Sequence, residues 1–74
     1  MPAEELDRVD RKILAELQRD GRLSNQELAD RVSLSPSPCL RRVRRLEEQG
    51  YIKGYVALVD PGRVGLGLLA YITI

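Results

Sequence analysis

The sequence predicts a mainly α fold: a three-helix winged helix-turn-helix with a short β-wing, followed by a linker strand. Three observations lead there. Apolar residues recur at three- and four-residue steps in successive stretches between Leu6 and Leu46, the mark of helices with one buried face. Residues that cap helices stand at the head of each stretch, at Asp7, Ser24 and Ser35. After Gly50 the composition turns to β-branched and aromatic residues, which favour strands.

The first helix is expected to start at Asp7, with Asp10 placed to complete a capping box. Leu6, Val9, Ile13, Leu14 and Leu17 form its apolar stripe. Arg8, Arg11, Lys12, Glu16 and Arg19 read as a solvated face of mixed charge. Gly21 is expected to end the helix in a left-handed conformation.

The second helix opens on Ser24-Asn-Gln-Glu27, a capping box, and runs to about Val32 with Leu28, Ala29 and Val32 inward. Ala29 is small enough to let two helices cross closely. In the tight turn that follows, Leu34 is an apolar plug. Ser35 then caps a third helix whose first position is Pro36, where no amide hydrogen is needed. Pro38 is still inside the first turn and is tolerated there. This helix runs to about Gln49, with Leu40, Val43 and Leu46 inward and Cys39 beside them, and Gly50 stops it.

Residues 51–59 are expected to form two short strands turning near Lys53-Gly54, the wing. Asp60-Pro-Gly62 breaks the pattern, residues 63–67 read as a connector, and residues 68–74 as a further strand. A chain that stops within an apolar strand leaves an open edge, so a longer protein is expected.

Composition narrows the chemistry. There is no histidine and one cysteine among 74 residues, which removes Cys/His zinc clusters and histidine triads. No metal or cofactor is expected, and no phosphate loop or paired-carboxylate cleft points to an enzyme. Cys39 reads as a core filler, with redox sensing as the alternative because a helix start lowers a thiol pKa. No signal pattern or bilayer-length apolar run is present, so a cytoplasmic protein without membrane contact is expected.

Net charge is only +1, but its distribution is uneven. Residues 22–53 hold seven basic and four acidic residues, and Arg41, Arg42, Arg44 and Arg45 fall within five positions of the third helix. A basic run on the second helix of a helix-turn-helix is the footprint of double-stranded DNA binding. With Val43 taken as the centre of the buried face, Arg41 and Arg45 lie about 160° away and Arg42 and Arg44 about 100° away. Ser37, Pro38, Arg41, Arg42 and Arg45 are therefore the expected base readers, since arginine forks onto guanine and proline offers apolar contact. Ser24, Asn25, Ser35, Arg44 and Lys53 are expected to position the phosphate backbone. The alternative is a winged-helix module for protein interaction that binds no DNA.

Three blocks make the pattern specific: LDRVDRKILAELQRDGR over 6–22, LSPSPCL over 34–40 and RVRRLEEQGYIKGY over 42–55. Together they resemble the leucine-responsive and asparagine-synthesis regulator family, Lrp/AsnC. The resemblance implies residues 1–60 as a winged helix-turn-helix DNA-binding domain. It implies residues 61–74 as a hinge and the first strand of a C-terminal effector domain outside this chain. It also implies a transcriptional regulator that acts as a homodimer, with higher oligomers in the full-length protein, and that takes an amino acid through the absent domain. Two positions depart from the family's habit. Ser33 stands where glycine is frequent, which costs about 1 kcal/mol if the turn is left-handed. Arg41 stands where an acidic residue is frequent.

Overall fold

The computed structural model describes residues 6–65. Its elements are α1 (Arg8–Arg19), α2 (Asn25–Arg31), α3 (Pro36–Glu48) and α4 (Pro61–Val64). Their helix starts follow the capping chemistry. Asp7 caps α1 and accepts from the Asp10 amide at 2.8 Å, while the Asp10 carboxylate reaches back toward the Asp7 amide. Ser24 and Glu27 do the same for α2, at 3.1 and 2.9 Å.

α3 starts differently. Ser35 occupies the cap position, yet its hydroxyl makes no capping bond. The third residue of the helix is Pro38, whose nitrogen has no hydrogen to donate, so the usual partner is missing. Of the first three helical residues, Pro36, Ser37 and Pro38, only Ser37 has an amide hydrogen to offer.

The turn between α2 and α3 is a Schellman closure. The Ser33 amide donates to Asp30 O at 3.3 Å and the Leu34 amide to Ala29 O at 2.9 Å. Ser33 has φ 60, so a serine carries the left-handed position that glycine fills at lower cost. Leu34 then packs against the core, as its apolar character requires.

Ile13, Leu28, Ala29, Val32, Cys39 and Leu46 form the buried core, ringed by partly buried Leu6, Val9, Leu14, Leu17, Leu23, Leu34, Val43, Tyr51 and Ile52. Two expectations are corrected here. Gly21 is not left-handed: α1 ends because Asp20 turns extended (φ −150, ψ 96) and its carboxylate takes the Arg22 amide at 3.0 Å. Leu40 does not face inward but is 37% exposed, because the buried line of α3 runs through Cys39 and Leu46 rather than Val43.

No strand is present among the described residues, so the β-wing expected over 51–59 is not found as a strand pair. A two-stranded ribbon is marginal by itself. Here Val56 and Leu58 are 87% and 96% exposed, so their apolar side packs against nothing among the described residues. The expected connector at 63–67 overlaps α4, whose cap Asp60 accepts from the Gly62 amide at 2.9 Å. The strand expected over 68–74 lies outside the described residues.

Candidate nucleic-acid interface

The candidate surface is the outer side of α3, held up by α1 and α2. Taking the Cys39–Leu46 line as the inward direction, Ser37, Arg41, Arg44 and Glu48 point most nearly outward, roughly 150–170° away. Pro38 and Arg45 fall on one shoulder, roughly 100° away, and Arg42 lies only about 50° from the core direction. This is a rotation of about 50° from the Val43-centred arithmetic. It exchanges two arginines: Arg44 moves from flank to outer face, and Arg45 moves from outer face to flank.

The rotation has an electrostatic partner on α1. Asp10 is fully buried, with 0% exposure. Its Oδ1 accepts from Arg42 Nη1 at 3.1 Å and its Oδ2 from Arg45 Nη2 at 2.5 Å. Arg42 Nη1 also reaches Asp7 Oδ2 at 2.6 Å. A buried carboxylate needs such donors, and stripping one away typically costs about 3–5 kcal/mol. The Arg42 guanidinium, followed by the Asp10 amide, holds the Asp7 carboxyl below its ordinary value. In turn, its hydrogen bond to Asp7 raises the Arg42 pKa.

Arg41 and Arg44 are exposed and have no carboxylate partner among the described residues. Pro38, Arg41, Arg42 and Arg45 line a shallow open depression along one side of α3. Ser37 is exposed beside it.

The residues expected to position phosphates are dispersed around this face. The Ser24 hydroxyl accepts from Glu27 and keeps its own hydrogen for donation. Asn25 is committed inward: Nδ2 donates to Pro36 O at 2.8 Å, joining the first turns of α2 and α3, and Oδ1 is buried. Only its backbone amide, at the open start of α2, faces outward chemistry. Ser35 and Lys53 are exposed, Lys53 in the segment after α3.

Glu16 on α1 binds Arg31 on α2 and Arg19 on its own helix, both at 3.1 Å, so its face is a brace rather than a merely solvated one. Arg31, the larger cause, holds the Glu16 carboxyl below its ordinary value. Cys39 is fully buried, and burial pushes its thiol pKa up, against the thiolate that redox sensing needs.

Sequence reasoning missed the acidic partners of Arg42 and Arg45. A signal was present. Asp10 stands three, four and seven residues before Ile13, Leu14 and Leu17, a charged residue on the apolar stripe. A carboxylate there must find a cation on whatever packs against it.

The profile of winged helix-turn-helix DNA-binding domains matches residues 6–53. Leucine-responsive regulatory proteins of Salmonella typhimurium and Escherichia coli are each 59% identical over 73 residues, 99% of this chain and 44% of theirs. This chain belongs to the Lrp/AsnC family. Solved Lrp/AsnC-like structures agree with the fold. A transcriptional regulator from Neisseria meningitidis, in complex with L-methionine, has a TM-score of 0.78 and 56% identity, covering 84% of this chain and 40% of that one. An AsnC family regulator from Agrobacterium tumefaciens has a TM-score of 0.74 and 52% identity, covering 78% and 38%. The chain thus spans less than half the length of these Lrp/AsnC relatives.

Proposed function

We propose that this chain is the DNA-binding part of a sequence-specific transcriptional regulator, with α3 lying in the major groove of double-stranded DNA. The observation that carries the reading is the pair Arg41 and Arg44. Both are exposed on the outer face of α3 and lack an acidic partner among the described residues. Helix-turn-helix proteins read bases with the N-terminal part of the second helix. Ser37, Pro38 and Arg41 are therefore the base readers, with Arg45 at their edge. Arg42, bound by two aspartates, supports the helix. Arg44, Ser24, Ser35, Lys53 and the Asn25 amide hold phosphates. Residues 51–59 act as the wing beside the groove.

The rest of the assignment follows the family. Residues 1–60 are the DNA-binding unit, and residues 61–74 lead into an effector domain that responds to an amino acid. The regulator works in the cytoplasm as a homodimer that assembles further at full length. The Neisseria relative in complex with L-methionine supports the effector class.

The test begins by selecting preferred duplexes from a random pool with the 74-residue chain. Binding of the selected duplex is then measured by fluorescence anisotropy. Arg41→Ala is expected to weaken it by about 1–3 kcal/mol and to relax preference at one base pair. Retained affinity and preference in the variant would move the reading face elsewhere. Absence of any DNA binding at low salt would favour a protein-interaction module.

A further inference from the structure

We propose that Asp10 is a positioning residue for DNA recognition: from within α1 it decides which of the four α3 arginines are free to meet DNA. The inference rests on the DNA-reading role of α3. Asp10 is completely shielded from solvent, so DNA does not touch it. Each of its two oxygens holds a different arginine of α3, Arg42 at 3.1 Å and Arg45 at 2.5 Å. Asp7 takes a second hold on Arg42. Both arginines line the depression that Arg41 also lines.

The consequence is a division among chemically identical side chains. An arginine free to swing binds any phosphate it can reach, and that contact carries no sequence information. Four free arginines in five positions would make a strong, indiscriminate DNA binder. Tethering Arg42 to two carboxylates withdraws it. Tethering Arg45 by one nitrogen fixes where its half-exposed guanidinium stands. A fixed guanidinium satisfies the geometry of one base edge, whereas a mobile one satisfies many phosphates. Asp10 thus trades general affinity for discrimination.

The test compares the 74-residue chain with Asp10→Asn, Asp7→Asn and Glu16→Gln. Glu16→Gln removes a negative charge from the same helix, but from a residue paired with Arg31 and Arg19. It therefore reports what losing a charge and its ion pairs on α1 does when no arginine of α3 is released. Asparagine caps a helix as well as aspartate, so Asp7→Asn keeps the start of α1. Circular dichroism establishes which variants fold. For each, anisotropy gives affinity for the selected duplex and for a random duplex across a salt series.

In Asp10→Asn, binding to random DNA is expected to rise while the ratio of selected to random affinity falls about tenfold, the worth of one base pair read correctly. The plot of log affinity against log salt should steepen by about one to two, one per released arginine. Asp7→Asn should move both quantities in the same direction by less, and it decides the matter if Asp10→Asn does not fold. A folded Asp10→Asn that matches Glu16→Gln in ratio and slope would overturn the proposal, leaving Asp10 a purely structural residue. So would Asp7→Asn with unchanged ratio and slope where Asp10→Asn is unfolded. Should the unmodified chain select no duplex at all, the DNA-reading role itself fails, and this inference with it.

Discussion

The Tyr55 hydroxyl donates to Glu47 Oε2 at 2.8 Å, tying the segment that leaves α3 back onto α3 itself. The ring also lies against α1's end: a Cβ on Gly21 would sit 3.7 Å from Tyr55 Cδ2. Desolvation, reinforced by the Glu47 hydrogen bond and charge, pushes the Tyr55 pKa up to about 12. A raised folded pKa means the phenol stabilises the fold fully below the ordinary value of 10. That contribution disappears as pH climbs through 10 toward 12. Absorbance titration should show one late tyrosine, and Glu47→Gln should bring it earlier by removing the charge. Tyr55→Phe is expected to cost about 0.5–1 kcal/mol in urea unfolding, the lower part of the range for a hydrogen bond at a half-exposed side chain.

Ser33→Gly should stabilise the protein. Ser33 sits at φ 60, and a left-handed L-residue costs about 1–2 kcal/mol that glycine avoids. Opposing this, glycine gains freedom in the unfolded chain, worth up to about 1 kcal/mol. The side chain is exposed and makes no bond in the Schellman closure, so nothing else is lost. A net gain of a few tenths to 1 kcal/mol is expected in chemical denaturation. A loss would mean that the serine hydroxyl does something the turn geometry does not require.

How far the sequence carried depends on whether a feature is local. The capping boxes at Asp7 and Ser24, and the strained turn at Ser33, are settled within six residues of chain, and each is where the residues predicted. The face of α3 is not local. Centring the buried face on Val43 sets Leu40 and Leu46 equally inward, whereas Cys39 and Leu46 define the buried line and Leu40 is left partly in solvent. That orientation goes with the pairing of Arg42 and Arg45 with Asp10, more than thirty residues away. No periodicity within α3 encodes that. The strand pair expected for the wing is absent among the described residues for a related reason: β-propensity was legible, but a ribbon needs a surface to pack its apolar side against, and Val56 and Leu58 meet none among the described residues.

Acid should loosen the α1 contacts with α2 and α3. Asp7 and Glu16 both have lowered pKa values, held down first by Arg42 and Arg31 respectively. A depressed folded pKa gives stability that is complete above the unfolded value, near 4, and is lost as pH falls through the folded one. The melting temperature should therefore drop below about pH 4, with a flatter acid limb in Asp7→Asn. The effect should shrink in high salt, because both pairs are partly exposed. An acid limb identical in Asp7→Asn and the parent would show that the Asp7–Arg42 pair is not formed in solution.

Asn25→Asp tests the joint between the two helices of the motif. The substitution is nearly isosteric, and a negative charge at the first position of α2 is favoured by the helix dipole by about 0.3–1 kcal/mol. Against that, Asn25 Nδ2 donates to Pro36 O at 2.8 Å, and an aspartate would set oxygen against oxygen there. Its other oxygen would occupy the buried place where Asn25 Oδ1 already has no partner. Leaving the Pro36 carbonyl unmatched and burying charge costs about 1–3 kcal/mol or more, so repulsion wins over the dipole. The variant should unfold at lower urea. Since this bond sets the first turn of α3 against α2, affinity for a selected duplex should fall under conditions where the variant is still folded. Equal stability and equal binding would mean the side chain turns outward in solution and the joint is held by the apolar core.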